Sequence, residues 1–274
     1  MTVITVSCGA AIFAPGMRAI RLLGVVLTLA AGFAAAALFA LLPGTIRIEI
    51  TRAWCRAMLA VLGVRLETEG ELDSRPVLLV ANHVSWLDVL AISALRPCVF
   101  VCKSEIADWP GLGWLLSQVD TIFMRRGSAL AAARAMEIAA ARLREGWSVA
   151  VFPEGTSSDG GQVLPFSPAL FQAALDAGCP VQPLALCYSS QEVVYAGDTS
   201  LGESLLAVAG ARDLQVTLGI LPALAEAEER RDAALRAHGL IALRVRAGTF
   251  PAEPGHAAPE GGLVAAQGGH PGLV

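Results

Sequence analysis

An uncharged apolar run near the amino terminus is the feature that most constrains this chain. No charged side chain lies between Arg21 and Arg47, and positions 22–42 hold 21 apolar or small residues. As an α-helix, such a run would extend ~31 Å, which matches the hydrocarbon core of a bilayer. Only 16% of the 274 residues are charged, against about 25% in average soluble domains. We therefore expect segment 1–46 to be a membrane anchor built on a transmembrane or membrane-embedded helix.

The same run is also compatible with a cleaved secretory signal peptide, because Ala35-Ala36-Ala37 could serve as a cleavage site. The run is long for a signal peptide, however, and its basic residues Arg18 and Arg21 come late. More arginines follow the run than precede it, and this bias places the rest of the chain on the cytoplasmic side of the membrane. These following arginines are Arg47, Arg52, Arg56 and Arg65.

Segment 47–75 is predicted to be an amphipathic connector. Within it, the stretch 51–62 gathers apolar side chains on one helical face and places Arg52 and Arg56 on another. The apolar face comprises Trp54, Met58, Leu59 and Leu62. This pattern is typical of a helix that lies at a membrane interface, and an ordinary surface helix of the domain explains it equally well.

From residue 76 onward, short apolar runs alternate with helical stretches, which predicts an α/β fold. The buried strands are expected at 77–81, 98–102, 121–124, 148–152, 181–187 and 214–221. The helices are expected at 86–95, 111–118, 129–145, 168–177 and 225–247. We expect domain 76–247 to contain a mixed, largely parallel sheet flanked by helices, followed by a disordered tail over 248–274.

Charge and cysteine spacing exclude several classes of protein. The net charge of −4 argues against nucleic acid as a partner, because nucleic acid requires a basic surface. The six cysteines form no C-x-x-C pair and have no histidine at zinc-ligand spacing. We therefore expect no structural metal and no disulfide.

The segment Asn82-His83-Val84-Ser85-Trp86-Leu87-Asp88 follows a predicted strand, and His83 is the first of the chain's four histidines. On a continuous helix, two residues five apart would lie ~140° apart. We expect the strand to end at Ala81 and Ser85 to cap the next helix, so that Asp88 can reach back to His83. Such a pair can act as a general base on a hydroxyl. Alternatively, Ser85 and Asp88 form a capping box and His83 is only a turn residue.

Two further segments follow predicted strands and place polar groups at their ends. The turn Phe152-Pro153-Glu154-Gly155-Thr156 would put Glu154 at the carboxyl end of a strand, where open α/β sheets bind ligands. Arg125 and Arg126 follow another strand, and guanidinium groups suit phosphate or carboxylate. An ordinary turn and a solvated helix start are the structural alternatives.

Taken together, these segments resemble the 1-acylglycerol-3-phosphate acyltransferase family. Its sequence blocks are N-H-x4-D, Phe-x-x-Arg, F-P-E-G-T and Pro-x-x-Pro in this order, and they match between residues 76 and 190. The resemblance is specific because N-H-x4-D and F-P-E-G-T occur together, about 65 residues apart. The stretch FVCKSEIADWP, with Lys103 and Glu105, is a further point of similarity.

The resemblance implies that His83 is the general base and Asp88 its partner. It also implies that the substrates are bound by Lys103, Arg126, Glu154, Gly155 and Thr156. Two positions depart from the family pattern, because Ser157 replaces a usual arginine and Arg125 stands where an acidic residue is common. These departures concern the identity of the acceptor headgroup rather than the type of reaction.

The implied reaction moves a fatty acyl chain from acyl-CoA or acyl-carrier protein to the hydroxyl of 1-acylglycerol-3-phosphate, giving phosphatidic acid. No cofactor or metal is expected beyond the acyl thioester as co-substrate. The motif G-x-S-x-G is absent, which argues against an α/β-hydrolase nucleophile. The alternatives are an acyltransferase for lyso-ornithine lipid or another lysolipid, and a non-catalytic lipid-binding membrane protein. The expected location is the bacterial inner membrane, with the catalytic domain on its cytoplasmic side.

Overall fold

The computed structural model of the chain describes residues 15–125, 127–224 and 229–248. In these residues one sheet contains seven strands: β1 (Arg65–Glu69), β2 (Leu78–Ala81), β3 (Val99–Lys103), β4 (Ile122–Met124), β5 (Val149–Val151), β6 (Val181–Tyr188) and β7 (Gln215–Ile220). The same residues form eight α-helices: α1 (Pro15–Ala37), α2 (Gly44–Leu62), α3 (Leu87–Leu95), α4 (Leu112–Ser117), α5 (Ala129–Arg144), α6 (Gln172–Ala177), α7 (Leu201–Gly210) and α8 (Arg230–Gly248).

The sheet is mixed and largely parallel, as predicted. Its strand order is β1-β7-β6-β2-β5-β3-β4. The five strands from β6 to β4 run parallel, whereas β7 is antiparallel to β6 and β1 runs parallel to β7. The carboxyl ends of β2, β5, β3 and β4 therefore meet at one edge of the sheet, where the polar segments of the sequence emerge.

Helices cover both faces of the sheet and bury its central strands β2 and β5 completely. In β2, Leu79 and Ala81 belong to one apolar layer and Leu78 and Val80 to the other. The first layer packs against α2, α3 and α7, and the second against α5, α6 and α8. A strand buried on both faces needs a continuous apolar run rather than alternation, which explains why these runs were recognisable in the sequence.

The amino-terminal helices form an antiparallel hairpin. The structure places α1 at 15–37 and a break at 38–43, so the predicted helix over 22–42 was wrong in its bounds. Glycines bring the two helices close together: a Cβ on Gly32 would lie 2.5 Å from Nε1 of Trp54. That indole nitrogen donates a hydrogen bond to the carbonyl oxygen of Thr28 at 2.7 Å. The predicted amphipathic stretch 51–62 is thus the second half of a longer helix that packs against α1.

Helix α1 keeps much of its apolar surface exposed. The exposed apolar residues on it are Met17, Ile20, Leu23, Val26 and Leu27. Among the described residues, the helix from Gly16 to Ala37 is the one long and apolar enough to cross a membrane, with a mean hydropathy of 2.0. A soluble core helix or a signal sequence can have the same length and composition. Arg21 also ties α1 to the domain, donating a 2.7 Å hydrogen bond to the carbonyl oxygen of Ala211.

The structure contains two elements that the sequence pattern did not predict, the strand β1 and the helix α7. Strand β1 lies within 47–75, the segment expected to be only a connector, and pairs with β7 at the edge of the sheet. The domain boundaries at 46, 75 and 247 stay predictions. The tail expected to be disordered lies, from residue 249 on, outside the described residues.

Candidate active site

His83 and Asp88 form a hydrogen-bonded pair in the turn between β2 and α3. Nδ1 of His83 lies 2.7 Å from Oδ2 of Asp88. The Asp88 side chain is fully buried, whereas 20% of the His83 side chain is exposed. The carboxylate fixes the Nδ1–H tautomer, which leaves Nε2 as the basic nitrogen. The pairing expected from the spacing of the two residues is therefore present in the structure.

Asp88 also organises the backbone of the turn. Its Oδ2 accepts hydrogen bonds from the amides of Val84 at 2.8 Å and Ser85 at 3.0 Å. The carboxylate therefore orients the imidazole and holds the backbone of the turn before α3 at the same time. The alternative capping box is not formed, because the amide of Asp88 bonds to the backbone carbonyl of Ser85 rather than to its hydroxyl. The expectation that Ser85 is the N-cap was wrong by one residue. Trp86 holds that position without a side-chain cap, and the Ser85 hydroxyl accepts from the amide of Leu87 at 3.3 Å.

Asn82 holds the turn against the neighbouring strand β6. Its side-chain amide donates to the carbonyl oxygen of Leu186 at 3.0 Å, and its side-chain oxygen accepts from the amide of Leu186 at 2.8 Å. The side chain thus takes the place of a further backbone pair, so the chain can leave β2 without losing contact with β6. Asn82 is 2% exposed, and both bonds are shielded from water.

We expect Asn82→Ala to lower the free energy of unfolding by roughly 2–4 kcal/mol, because a buried amide and a buried carbonyl lose their partner. Chemical denaturation of the purified protein measures this loss. Ser117→Ala is the control, because the Ser117 hydroxyl bonds to the carbonyl of Trp114 at an exposed site and surface changes typically stay within about 0.5 kcal/mol. A loss below about 1 kcal/mol for Asn82→Ala would contradict the structural role of this side chain.

Glu154 holds the backbone of His83 from the loop after β5. Its Oε1 accepts from the amide of His83 at 2.8 Å, and its Oε2 accepts from the amide of Leu164 at 3.1 Å. Burial raises the pKa of Glu154 to about 7, although both amide hydrogen bonds oppose the rise. In this structure the carboxylate therefore supports the histidine turn. Its expected contact with substrate stays a prediction.

The rest of the loop after β5 completes the environment of His83. The amide of Ser158 donates to the carbonyl oxygen of His83 at 2.8 Å, and the Phe152 ring stacks on the imidazole at 4.1 Å between centroids. Gly155 has φ of +73° with open space around its Cβ position, so this position favours glycine for its backbone conformation. Gly155 and Thr156 are exposed and accessible to a substrate.

Lys103, one of the basic residues predicted to bind substrate, lies on the far side of the same edge. Lys103 ends β3, is partly exposed, and is paired in register with Met124 of β4. Arg125 follows β4 and is exposed. Arg126 lies outside the described residues, so its assignment to the acceptor headgroup stays a prediction. Within the described ranges, no three His, Cys, Asp or Glu side chains form a group that could hold a metal ion.

Tyr188 is a residue of the site that the sequence did not reveal. Its hydroxyl donates to Oδ1 of Asp88 at 2.5 Å across a separation of 100 residues. The chain has only two tyrosines, and this one ends β6. Tyr188 could have been assigned to the site from its position at the end of a strand that neighbours β2. That assignment requires the strand order, which the sequence does not give.

An imidazole anchored through Nδ1 lies at the carboxyl edge of the α/β sheet, with the exposed Gly155 and Thr156 beside it, and this arrangement suits general-base chemistry. Comparison with known proteins gives the class: the sequence family described as Acyltransferase matches residues 63–187. The chain is 38% identical over 192 residues to the lyso-ornithine lipid O-acyltransferase of Pseudomonas aeruginosa, covering 68% of this chain and 74% of that protein. The chain therefore belongs to the 1-acylglycerol-3-phosphate acyltransferase family of lysophospholipid acyltransferases.

Other relatives are named for a different acceptor lipid. The 1-acyl-sn-glycerol-3-phosphate acyltransferase of Neisseria meningitidis is 42% identical over 135 residues, which is 48% of this chain and 53% of that protein. The crystal structure of the 1-acyl-sn-glycerophosphate acyltransferase of Thermotoga maritima matches with a TM-score of 0.60 and 22% identity, covering 84% of this chain and 97% of that one. This structural match supports the fold.

Proposed function

We propose that the protein transfers a fatty acyl chain from a thioester to the hydroxyl of a lysolipid, with His83 as the general base. The observation that carries the proposal is the 2.7 Å contact between His83 Nδ1 and the buried Asp88 carboxylate. Nε2 takes the proton of the acceptor hydroxyl as its oxygen attacks the thioester carbonyl. Asp88 then stabilises the imidazolium that forms.

The reaction is completed by collapse of the tetrahedral intermediate. The C–S bond breaks, the thiol of coenzyme A or acyl-carrier protein leaves, and the imidazolium returns its proton to the thiolate sulfur. The only co-substrate required is the acyl thioester. No covalent acyl-enzyme is needed, because the hydroxyl attacks the thioester directly.

We propose lyso-ornithine lipid as the acceptor, on the chemistry of the loop after β5. The family's usual arginine is replaced there by Ser157, whose hydroxyl donates to the carbonyl oxygen of Tyr195. Two residues further on, Asp159 is exposed, and its Oδ1 accepts a hydrogen bond from the amide of Gly161 at 2.9 Å. A neutral and an acidic residue suit the ammonium group of ornithine better than they suit a phosphate. The similarity to the Pseudomonas protein supports the same acceptor.

The second candidate acceptor is 1-acylglycerol-3-phosphate, with phosphatidic acid as the product. Arg125 follows β4 and Lys103 ends the adjacent strand, so this side of the edge is basic, and Arg126 is the next residue in the sequence. A guanidinium group can bind two phosphate oxygens at once. The Neisseria relative supports this candidate.

A panel of lysolipid acceptors decides between the two. We expect kcat/KM for lyso-ornithine lipid to exceed that for 1-acylglycerol-3-phosphate by about tenfold or more, the factor that about 1.4 kcal/mol of headgroup interaction provides. Thiol release from acyl-CoA gives the rate, and mass spectrometry identifies the product. We expect Ser157→Arg to reduce the ratio of the two kcat/KM values by raising kcat/KM for the phosphate acceptor. Ser157→Ala should leave this ratio unchanged. A wild-type preference for the phosphate acceptor would support the second candidate instead.

A further inference from the structure

Tyr188 occupies a position from which it can control the carboxylate of Asp88. The four hydrogen bonds of the Asp88 carboxylate are divided between its oxygens: Oδ2 accepts from His83, Val84 and Ser85, and Oδ1 accepts from the Tyr188 hydroxyl. Among the described residues, the Tyr188 hydroxyl is the one hydrogen-bond donor to Oδ1 of Asp88. The contact is buried, since Tyr188 is 8% exposed and Asp88 is 0% exposed.

Burial favours the protonated, hydrogen-bond-donating form of the Tyr188 hydroxyl. Burial, together with the negative charge of Asp88, raises the pKa of Tyr188 well above its ordinary value of 10.0. A phenol that keeps its proton brings no charge of its own to the site. It stabilises the ionised carboxylate through a hydrogen bond, without the full positive charge that an arginine would bring.

We propose that Tyr188 is a positioning residue of the transfer reaction: its hydroxyl fixes the Asp88 carboxylate and limits how tightly the His83–Asp88 pair holds a proton. The inference rests on the proposed function, in which His83 must give up that proton at the end of each cycle. Tyr188 acts through Asp88 and needs no contact with either substrate.

The direction of the effect follows from the hydrogen bond. Removing a donor from the carboxylate concentrates its negative charge, so the pair as a whole binds a proton more tightly, whichever residue carries it. Among the described residues, Glu154 is the other titratable group that faces the pair, and its carboxylate accepts from the His83 amide. Glu154, whose pKa is about 7, is retained in Tyr188→Phe, so its titration is common to both proteins and the difference between them reports on the phenol.

The first test compares Tyr188→Phe with Tyr195→Phe, which removes the hydroxyl of the chain's other tyrosine. For Tyr188→Phe we expect the acid limb of kcat/KM to move to higher pH by about one unit and kcat at neutral pH to fall by about tenfold, because less of the free base is present and it is less well oriented. KM for the donor and KM for the acceptor should stay within about twofold of their wild-type values, since Tyr188 contacts neither substrate and its loss leaves substrate binding unchanged. Tyr195→Phe should leave the pH profile at its wild-type position. An unshifted acid limb in Tyr188→Phe would overturn the proposal.

The second test does not depend on activity. The titration of the His83 ring is followed by nitrogen-15 NMR and assigned by its loss in His83→Gln. We expect Tyr188→Phe to move its midpoint upward in otherwise wild-type protein and to have no effect in an Asp88→Asn background, because the phenol acts through the carboxylate. Equal effects in both backgrounds would show a general structural role and sink the proposal. If wild-type protein acylates no lysolipid, the proposed function fails, while this titration still decides the role of Tyr188.

Discussion

Replacing His83 with alanine is expected to lower the rate of acyl transfer by about 10²–10⁴-fold, the usual effect of losing a general base. The protein should remain folded, because the His83 backbone keeps its bonds to Glu154 and Ser158. The imidazole itself is partly exposed and stacks on Phe152, so its removal leaves no large buried cavity. The measurement is thiol release from acyl-CoA at saturating lysolipid, together with the thermal midpoint of each protein.

His238→Ala is the matched control for this substitution. His238 is the other histidine among the described residues, and it contacts the carbonyl oxygen of Val163 and the ring of Phe166 rather than the catalytic turn. Its replacement should leave the transfer rate near that of the wild type. A His83→Ala protein that keeps half of the wild-type rate would rule out the general-base mechanism.

The double substitution Leu23→Arg and Leu27→Arg on α1 should release the protein from the membrane. Both side chains are more than 60% exposed, at 61% and 62%, so the change leaves the packing of the hairpin intact. An arginine near the centre of a membrane helix costs about 2.5–3.5 kcal/mol on the insertion scale, where leucine is favourable. Two such costs, roughly 5–7 kcal/mol together, are enough to reverse membrane association.

The control for this prediction carries the same two charges elsewhere. Leu130 on α5 and Leu235 on α8 are 81% and 73% exposed, and both helices pack on the sheet face opposite to α2. Vesicle flotation and carbonate extraction should recover this control with the membrane fraction and the α1 variant in the soluble fraction. Equal recovery of both variants with membranes would contradict an anchoring role for α1. A mature amino terminus near residue 38 would favour the signal peptide instead.

The sequence predicted the buried strands well because a strand buried on both faces is a continuous run of apolar residues. The run 181–187, for example, became β6 with one added residue, Tyr188. Helices α3 and α5 likewise began and ended within a residue of their expected bounds. The pairing of His83 with Asp88 could also be predicted from the sequence, because the two residues are only five apart and their contact is local.

The remaining features depend on distant contacts or on weak local patterns. Strand β1 was missed because its sequence RLETE is charged and mostly exposed, with only Leu66 partly buried; its extended conformation depends on pairing with β7. Helix α7 is short and starts at a capping box formed by Ser200 and Glu203. The roles of Tyr188 and Glu154 could not be predicted, because each bonds to a residue 100 or 71 positions away.

The side chain of Asn82 joins the turn at His83 and Asp88 to β6, and we expect this connection to set when activity appears as the chain folds. The partner of Asn82 is Leu186, 104 residues later in the chain, and Tyr188 reaches back across 100 residues. Contacts between such distant residues form late, because long loops must close first. At about 5–20 residues per second, the ribosome needs roughly 5–20 s to make the stretch that separates them. A nascent chain that contains His83 and Asp88 but lacks β6 therefore has neither the Asn82–Leu186 nor the Tyr188–Asp88 contact. We expect acyl transfer to begin only after β6 has emerged and paired with β2.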